Sequence, residues 1–168
     1  MILIVMGVAG SGKSTIAHAL IALTGWQFAE GDDYHSEANR RKMHSGIPLT
    51  DADRIPWLIS LHDVLTGWQR ASVNGVLTCS ALKQSYRDIL AKDLPAGSYR
   101  FVLLEAPVST LAARMTQRPG HFMNPALLQS QLDTLEMPAD ALRVDATQPP
   151  EAVAREILDT IGRCPSQA

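Results

Sequence analysis

Short apolar runs recur along the chain, separated by stretches in which apolar residues return every three or four positions. The first run, Ile2-Leu3-Ile4-Val5-Met6, has no polar alternation and reads as a strand buried on both faces. Behind it, Ile16, Leu20 and Leu23 share one helical face before Gly25 ends the pattern. Further strand candidates cover residues 26–29, 76–79, 100–104 and 142–144. Between them, Asp51 and Pro56 look like start signals for a helix whose Leu58, Leu61, Leu65 and Trp68 share a face, and Pro149 and Pro150 precede one bearing Val153, Ile157 and Ile161. This alternation predicts an α/β fold, a parallel sheet of about five strands with helices on both faces.

Two stretches fall outside the pattern. Residues 31–54 and 117–124 are polar and rich in turn formers. Loops that leave the carboxyl ends of strands form the ligand crevice of an open α/β sheet, so these insertions are where substrate contacts are expected. No repeat, low-complexity tract or linker interrupts the chain, and its 168 residues fit one domain.

The decisive chemistry lies between the first strand and the first helix. Gly7-Val8-Ala9-Gly10-Ser11-Gly12-Lys13-Ser14-Thr15 contains a complete G-x-x-x-x-G-K-[ST] in the strand–loop–helix context it requires. Glycines let successive backbone N–H groups turn inward around a phosphate, and the helix N-terminus adds positive potential. Lys13 can reach the β- and γ-phosphates, and the Ser14 hydroxyl can hold Mg²⁺. A glycine-rich turn without a ligand is the plain alternative, and the flanks argue against it.

Composition narrows the partners. A formal net charge of −2 supplies no basic face for nucleic acid, which leaves small molecules. The two cysteines, Cys79 and Cys164, stand far apart without a C-x-x-C, which suits a reducing compartment and makes the cytoplasm the expected location. The first apolar run lacks a basic leader, and no apolar stretch is long enough to span a bilayer, so no membrane partner is expected. His18, His35, His44, His62 and His121 show no H-x-x-x-H pairing, which disfavours a structural zinc site.

Many phosphate-loop proteins end a later strand in an aspartate, but the strand candidate here runs into Cys79-Ser80. The nearest carboxylate is Asp32 in Gly31-Asp32-Asp33-Tyr34-His35, which opens into the same crevice. Asp32 could accept the proton of an attacking hydroxyl or order the metal's water shell; a turn without chemistry is the alternative. Arg114 and Arg118, spaced i, i+4, could neutralise a transferring phosphoryl group, or form an ordinary solvated face. Asp51, Asp53 and Arg54 fit a capped helix start, and Lys83, Tyr86 and Arg87 the polar face of an early helix turn. Trp26, Trp57 and Trp68 read as core or shielding residues. A guanine-reading switch would carry N-K-x-D, and the chain has no Asn-Lys dipeptide, so a small-molecule kinase is favoured over a nucleotide-gated module.

Several segments together resemble the bacterial gluconate kinases: the phosphate loop from Met6, Gly31-Asp32-Asp33-Tyr34-His35, the stretch from Lys42 through Gly46-Ile47-Pro48-Leu49-Thr50-Asp51-Ala52-Asp53-Arg54, Pro56-Trp57-Leu58, Cys79-Ser80-Ala81-Leu82-Lys83, Tyr86-Arg87-Asp88 and Gly120-His121-Phe122. The resemblance runs to about Pro138, with Pro119 standing where relatives often carry a basic residue. It implies ATP-dependent, Mg²⁺-assisted phosphorylation of D-gluconate at its C6 hydroxyl, an adenylate-kinase-like core, and usually a homodimer. It places Asp32 in the acceptor site, an acceptor-binding insertion at 31–54, and Arg114 and Arg118 in a lid spanning about 114–137. A sugar acid needs cations and hydrogen-bond groups around it; His35, Arg54, Ser80, Lys83, Arg87 and His121 supply both. Another small-metabolite kinase, such as a shikimate-type enzyme, is the runner-up.

Overall fold

The computed structural model describes residues 1–117 and 125–163. Five parallel strands, β1 (Ile2–Met6), β2 (Gln27–Glu30), β3 (Gly75–Thr78), β4 (Tyr99–Glu105) and β5 (Leu142–Asp145), lie in the order β2-β3-β1-β4-β5. The helices are α1 (Lys13–Thr24), α2 (Glu37–His44), α3 (Asp51–Arg70), α4 (Gln84–Ala91), α5 (Val108–Thr116), α6 (Pro125–Thr134) and α7 (Pro150–Arg163). Each expected strand is present with its ends shifted by a residue or so.

The uninterrupted apolar sequence of β1 follows from its place in the middle of the sheet. Ile2, Ile4 and Met6 face Leu58, Leu61 and Leu65 of α3 and Leu90 of α4, while Leu3 and Val5 face Ile16 and Leu20 of α1 and Val153 and Ile157 of α7. Adjacent strands β1 and β3 therefore feed helices on opposite faces, and such a switch point opens a crevice outside their carboxyl ends. Among the described residues no helix is long and apolar enough to cross a membrane.

Two helical details depart from the sequence reading. The buried stripe of α1 consists of Ile16, Ala17 and Leu20, and Leu23 lies off it, 41% exposed. The start of α3 is set by Thr50, whose Oγ1 accepts the Asp53 N–H while Asp53 Oδ2 accepts the Thr50 N–H, a reciprocal capping box; Pro56 lies inside the helix, not at its start. Lys42 of α2 reinforces this start with a 2.7 Å ion pair to Asp53, and together with the Thr50 N–H it draws the Asp53 carboxyl down to about 2.

The edge strand is joined to the sheet most tightly at its end. Gly31 N–H donates to Thr78 Oγ1 at 3.2 Å, Thr78 Oγ1 donates to the Glu30 carboxylate, and Trp57 Nε1 donates to Gly31 O at 2.7 Å. A Cβ at Gly31 would stand 2.1 Å from the Thr78 carbonyl oxygen, so only glycine allows this approach. Gly31→Ala should destabilise the protein by about 1–3 kcal/mol through backbone displacement, and it should lower turnover further than the unfolded fraction accounts for; thermal melts and assays on the same sample check both.

Candidate active site

The phosphate loop leaves β1 and is shaped by its neighbours. Gly7 N–H donates to Ser80 O at 3.4 Å, tying the loop's start to the end of β3. Gly10 has φ +78°, and a Cβ there would lie 2.6 Å from Leu111 O of α5, so this position needs glycine twice over. Lys13 Nζ donates to Gly7 O at 3.0 Å and Val8 O at 3.1 Å, which holds the ammonium over the loop. Ser14 and Thr15 occupy the first turn of α1, where backbone N–H groups and the helix dipole favour an anion. Ser11 is fully buried and its Oγ has no hydrogen-bond partner.

Arg114 spans the far side of the loop, donating to Ser11 O at 3.5 Å and to Ala146 O, just after β5, at 2.7 Å. Its partner in the expected i, i+4 pair, Arg118, lies outside the described residues, as do His121 and Cys164.

Across the crevice, Gly31–Tyr34 forms a 3-10 turn that leaves Asp32 exposed at the end of β2. His35 follows, buried and stacked on Trp57 at 4.1 Å between ring centroids. Burial holds the His35 imidazole below its ordinary pKa; the charge of Asp32 opposes this, and those of Arg54 and Arg40 add to it. His35 Nδ1 and Arg54 Nε are buried without hydrogen-bond partners. Native structures keep such orphans rare, and two in one pocket mark polar groups suited to a hydroxylated ligand.

The Arg54 guanidinium lies over the Tyr86 ring at 5.6 Å and Lys83 Nζ lies 5.5 Å from the same centroid. Lys83 also donates to both oxygens of Asp51 at 2.9 Å, and Tyr86 Oη donates to Oδ1. The Lys83 ammonium, then the Tyr86 hydroxyl, hold Asp51 below the usual carboxylate range.

Arg87 does not join this group. It is 2% exposed, and its guanidinium donates to Ala81 O at 2.9 Å, Leu82 O at 3.2 Å and Gln84 Oε1 at 2.9 Å. Its guanidinium is turned toward these oxygens, where it braces the loop that carries Ser80 and Lys83.

Cys79 lies buried just after β3. Burial pushes its thiol up to about 12, and its surroundings include the charges of Asp32, Lys13 and Arg54. A buried thiol with that pKa is inert and serves as floor.

Known proteins share this arrangement. A family model described as an AAA domain matches residues 2–138. The gluconokinase of Gluconobacter oxydans is 48% identical over 160 residues, covering 93% of this chain and 88% of that protein. The chain belongs to the gluconokinase family. The crystal structure of a gluconokinase from Sinorhizobium meliloti, 46% identical, superposes with a TM-score of 0.85 over 96% of this chain and 91% of that one. Shikimate kinase from Aquifex aeolicus, at 16% identity and a TM-score of 0.61 over 96% of both chains, shares the fold alone.

Seen as a gluconokinase-family pocket, the site contains groups that spacing did not single out. Arg40 lies close enough to act on His35, Asp51 orders Lys83, Tyr86 carries two cations on its ring, and Trp57 supports His35. Asp51, Tyr86 and Trp57 left a sequence trace, as parts of the stretch at 46–54, Tyr86-Arg87-Asp88 and Pro56-Trp57-Leu58, and Arg40 left none.

Two outcomes distinguish structural from ligand-facing groups. Arg87→Met should cost about 1–3 kcal/mol, because three acceptors lose their donor, and should leave the acceptor KM of the folded fraction unchanged; Arg54→Gln should do the reverse, raising that KM at nearly constant Tm. The second outcome concerns pH. A His35 pKa held below 6.5 means that the folded state binds the proton less readily than the unfolded chain, so stability rises with pH through that region and falls on acidification. His35→Asn should flatten the slope of Tm against pH between about 5 and 7, as read by calorimetry; an unchanged slope would assign it to other groups.

Proposed function

We infer that the chain is a gluconokinase, transferring the γ-phosphoryl group of ATP to the C6 hydroxyl of D-gluconate and giving 6-phospho-D-gluconate and ADP. The observation that carries this reading is a phosphate loop with Lys13 held over it, together with a pocket in which His35 Nδ1 and Arg54 Nε are buried without partners, in a chain of this family.

The residues divide the work. Gly7, Val8, Ala9, Gly10, Ser11, Gly12, Lys13, Ser14 and Thr15 cradle the triphosphate, with Lys13 offsetting charge on the β- and γ-oxygens. Asp32 accepts the C6 hydroxyl proton as the oxygen–phosphorus bond forms and the bond to the bridging oxygen of ADP breaks. Arg54 and Lys83 pair with the gluconate carboxylate, and His35, Ser80 and the unpaired Arg54 Nε address its hydroxyls. Arg114 steadies the donor side, and Arg118 and His121 belong to the same reading by family likeness. Mg²⁺ is held by one or two protein oxygens together with substrate phosphates, a donor set that Ser14 Oγ and Asp32 fit, and when bound it neutralises charge on the phosphate oxygens. A single domain with its acceptor insertion at 31–54 and a lid over about 114–137, cytoplasmic and homodimeric, completes the proposal.

A coupled ADP-release assay across sugar acids, shikimate, glucose and sorbitol tests it. Gluconate should be turned over far faster than the uncharged polyols, because they leave the pocket cations unmatched. Asp32→Asn should lower kcat by about 10²–10⁴-fold with a smaller change in ATP affinity; turnover of glucose equal to that of gluconate would remove the carboxylate pocket from the account.

A further inference from the structure

One contact in the donor half belongs to neither the phosphate-binding lysine nor the acceptor pocket. Gln131, in the last turn of α6, accepts the Ala9 N–H on its Oε1 at 2.7 Å. Just past the helix, Glu136 donates its N–H to Leu82 O at 2.9 Å and accepts the Gln84 N–H on Oε2 at 2.5 Å. One short segment thus grips the phosphate loop at one point and the β3–α4 loop, which carries Ser80 and Lys83, at another.

Packing alone does not fix this segment. A cavity of about 120 Å³ lies where α6 meets the phosphate loop and the end of β4, lined by Val8, Leu104, Ala106, Leu111, Leu132 and Leu135 among others. Side chains that line a half-open pocket make fewer contacts on that side, so a directional bond adds to the register. At the neighbouring Gly10 the loop backbone presses against α5, which fixes the side of the loop away from α6. The Ala9 anchor fixes the other side.

We propose that Gln131 is a positioning residue for phosphoryl transfer: by accepting the Ala9 N–H it fixes the first half of the phosphate loop against α6 and, with Glu136, sets that loop's distance from the acceptor-side loop. Gln131 acts through Ala9 and not on a reacting atom. The proposal rests on reading the chain as an ATP-dependent kinase.

Two variants of equal side-chain length test it on the full chain. Gln131→Met removes the acceptor, and Gln131→Glu keeps an oxygen at the same reach. Gln131→Met should raise the Kd for a non-hydrolysable ATP analogue and lower kcat/KM for ATP, each by about 5–100-fold, with gluconate KM within about twofold and Tm within about 2 °C. Exchange of the Ala9 amide, followed by NMR, should quicken at least about tenfold in that variant and return towards the parent rate in Gln131→Glu, with kcat recovering alongside. Parental ATP kinetics in Gln131→Met, an unprotected Ala9 amide in the parent, or a loss that tracks Tm and vanishes on cooling would each overturn the proposal. Analogue binding and amide exchange need no acceptor, so a parent that fails to phosphorylate gluconate removes the substrate reading and leaves this test intact.

Discussion

The close approach of the Gly31 peptide to the end of β3 is the constraint on which the site depends. Parallel pairing brings Glu30 of β2 level with Thr78 of β3, and the chain must then turn away while keeping its backbone groups satisfied. Thr78 Oγ1 takes the Gly31 N–H and Trp57 Nε1 takes its carbonyl, so an edge strand, a central strand and α3 are fixed at one residue. Asp32 follows directly. It stands at the carboxyl end of the sheet, from which the phosphate loop also leaves at the end of β1, the strand paired to the other edge of β3.

Charge in the pocket is arranged by how completely each cation is already satisfied. Arg87 has its donors taken up by three oxygens, Lys83 is shared between Asp51 and the face of Tyr86, and Arg54 keeps a buried Nε without a partner. A buried donor without an acceptor is costly, and a ligand that supplies the acceptor recovers that cost on binding. The three cations thus differ in what they already hold: Arg54 an Nε without a partner, Lys83 the Asp51 carboxylate, Arg87 three loop oxygens. His35 fits the same logic, neutral through burial and with Nδ1 unpaired beside Arg54.

The sequence makes some of this legible and hides the rest for a physical reason. The phosphate loop and the strands are read directly because local pattern causes them: glycines at set spacing, apolar runs buried on two faces. The position of Asp32 follows from topology once the strands are placed. Arg54, Lys83 and Arg87 look alike in composition, yet Lys83 is the extended N-cap of α4 while Arg87 lies inside that helix with its guanidinium on the carbonyls of the preceding loop, a difference that residue type does not announce. Thr50 outranks Asp51 and Pro56 as the start of α3 because a cap is defined by a side chain meeting an N–H, which residue type only suggests. The Gln131–Ala9 contact joins residues 122 apart, and no local spacing encodes it.

That distant contact belongs to a third, small hydrophobic cluster that sits apart from the two faces of the sheet. Val8 of the phosphate loop, Leu82 of the β3–α4 loop, Leu111 and Met115 of α5 and Leu128 of α6 pack into it. Each of these elements borders the crevice, so the cluster mechanically joins the ATP-side loop, the acceptor-side loop and both helices that flank residues 118–124. Phosphoryl transfer needs attacking and leaving oxygens nearly in line, and misplacement by an ångström is expensive. A rigid sheet sets the two loops to within its own tolerance, and the remaining adjustment falls to the cluster and its two hydrogen-bonded ends at Ala9 and Gln84. The sheet is filled on both faces while a cavity remains beneath α6. The space that packing leaves open therefore lies beneath the helix that carries Gln131, where a directional hydrogen bond to the phosphate loop adds most to what the apolar contacts leave undecided.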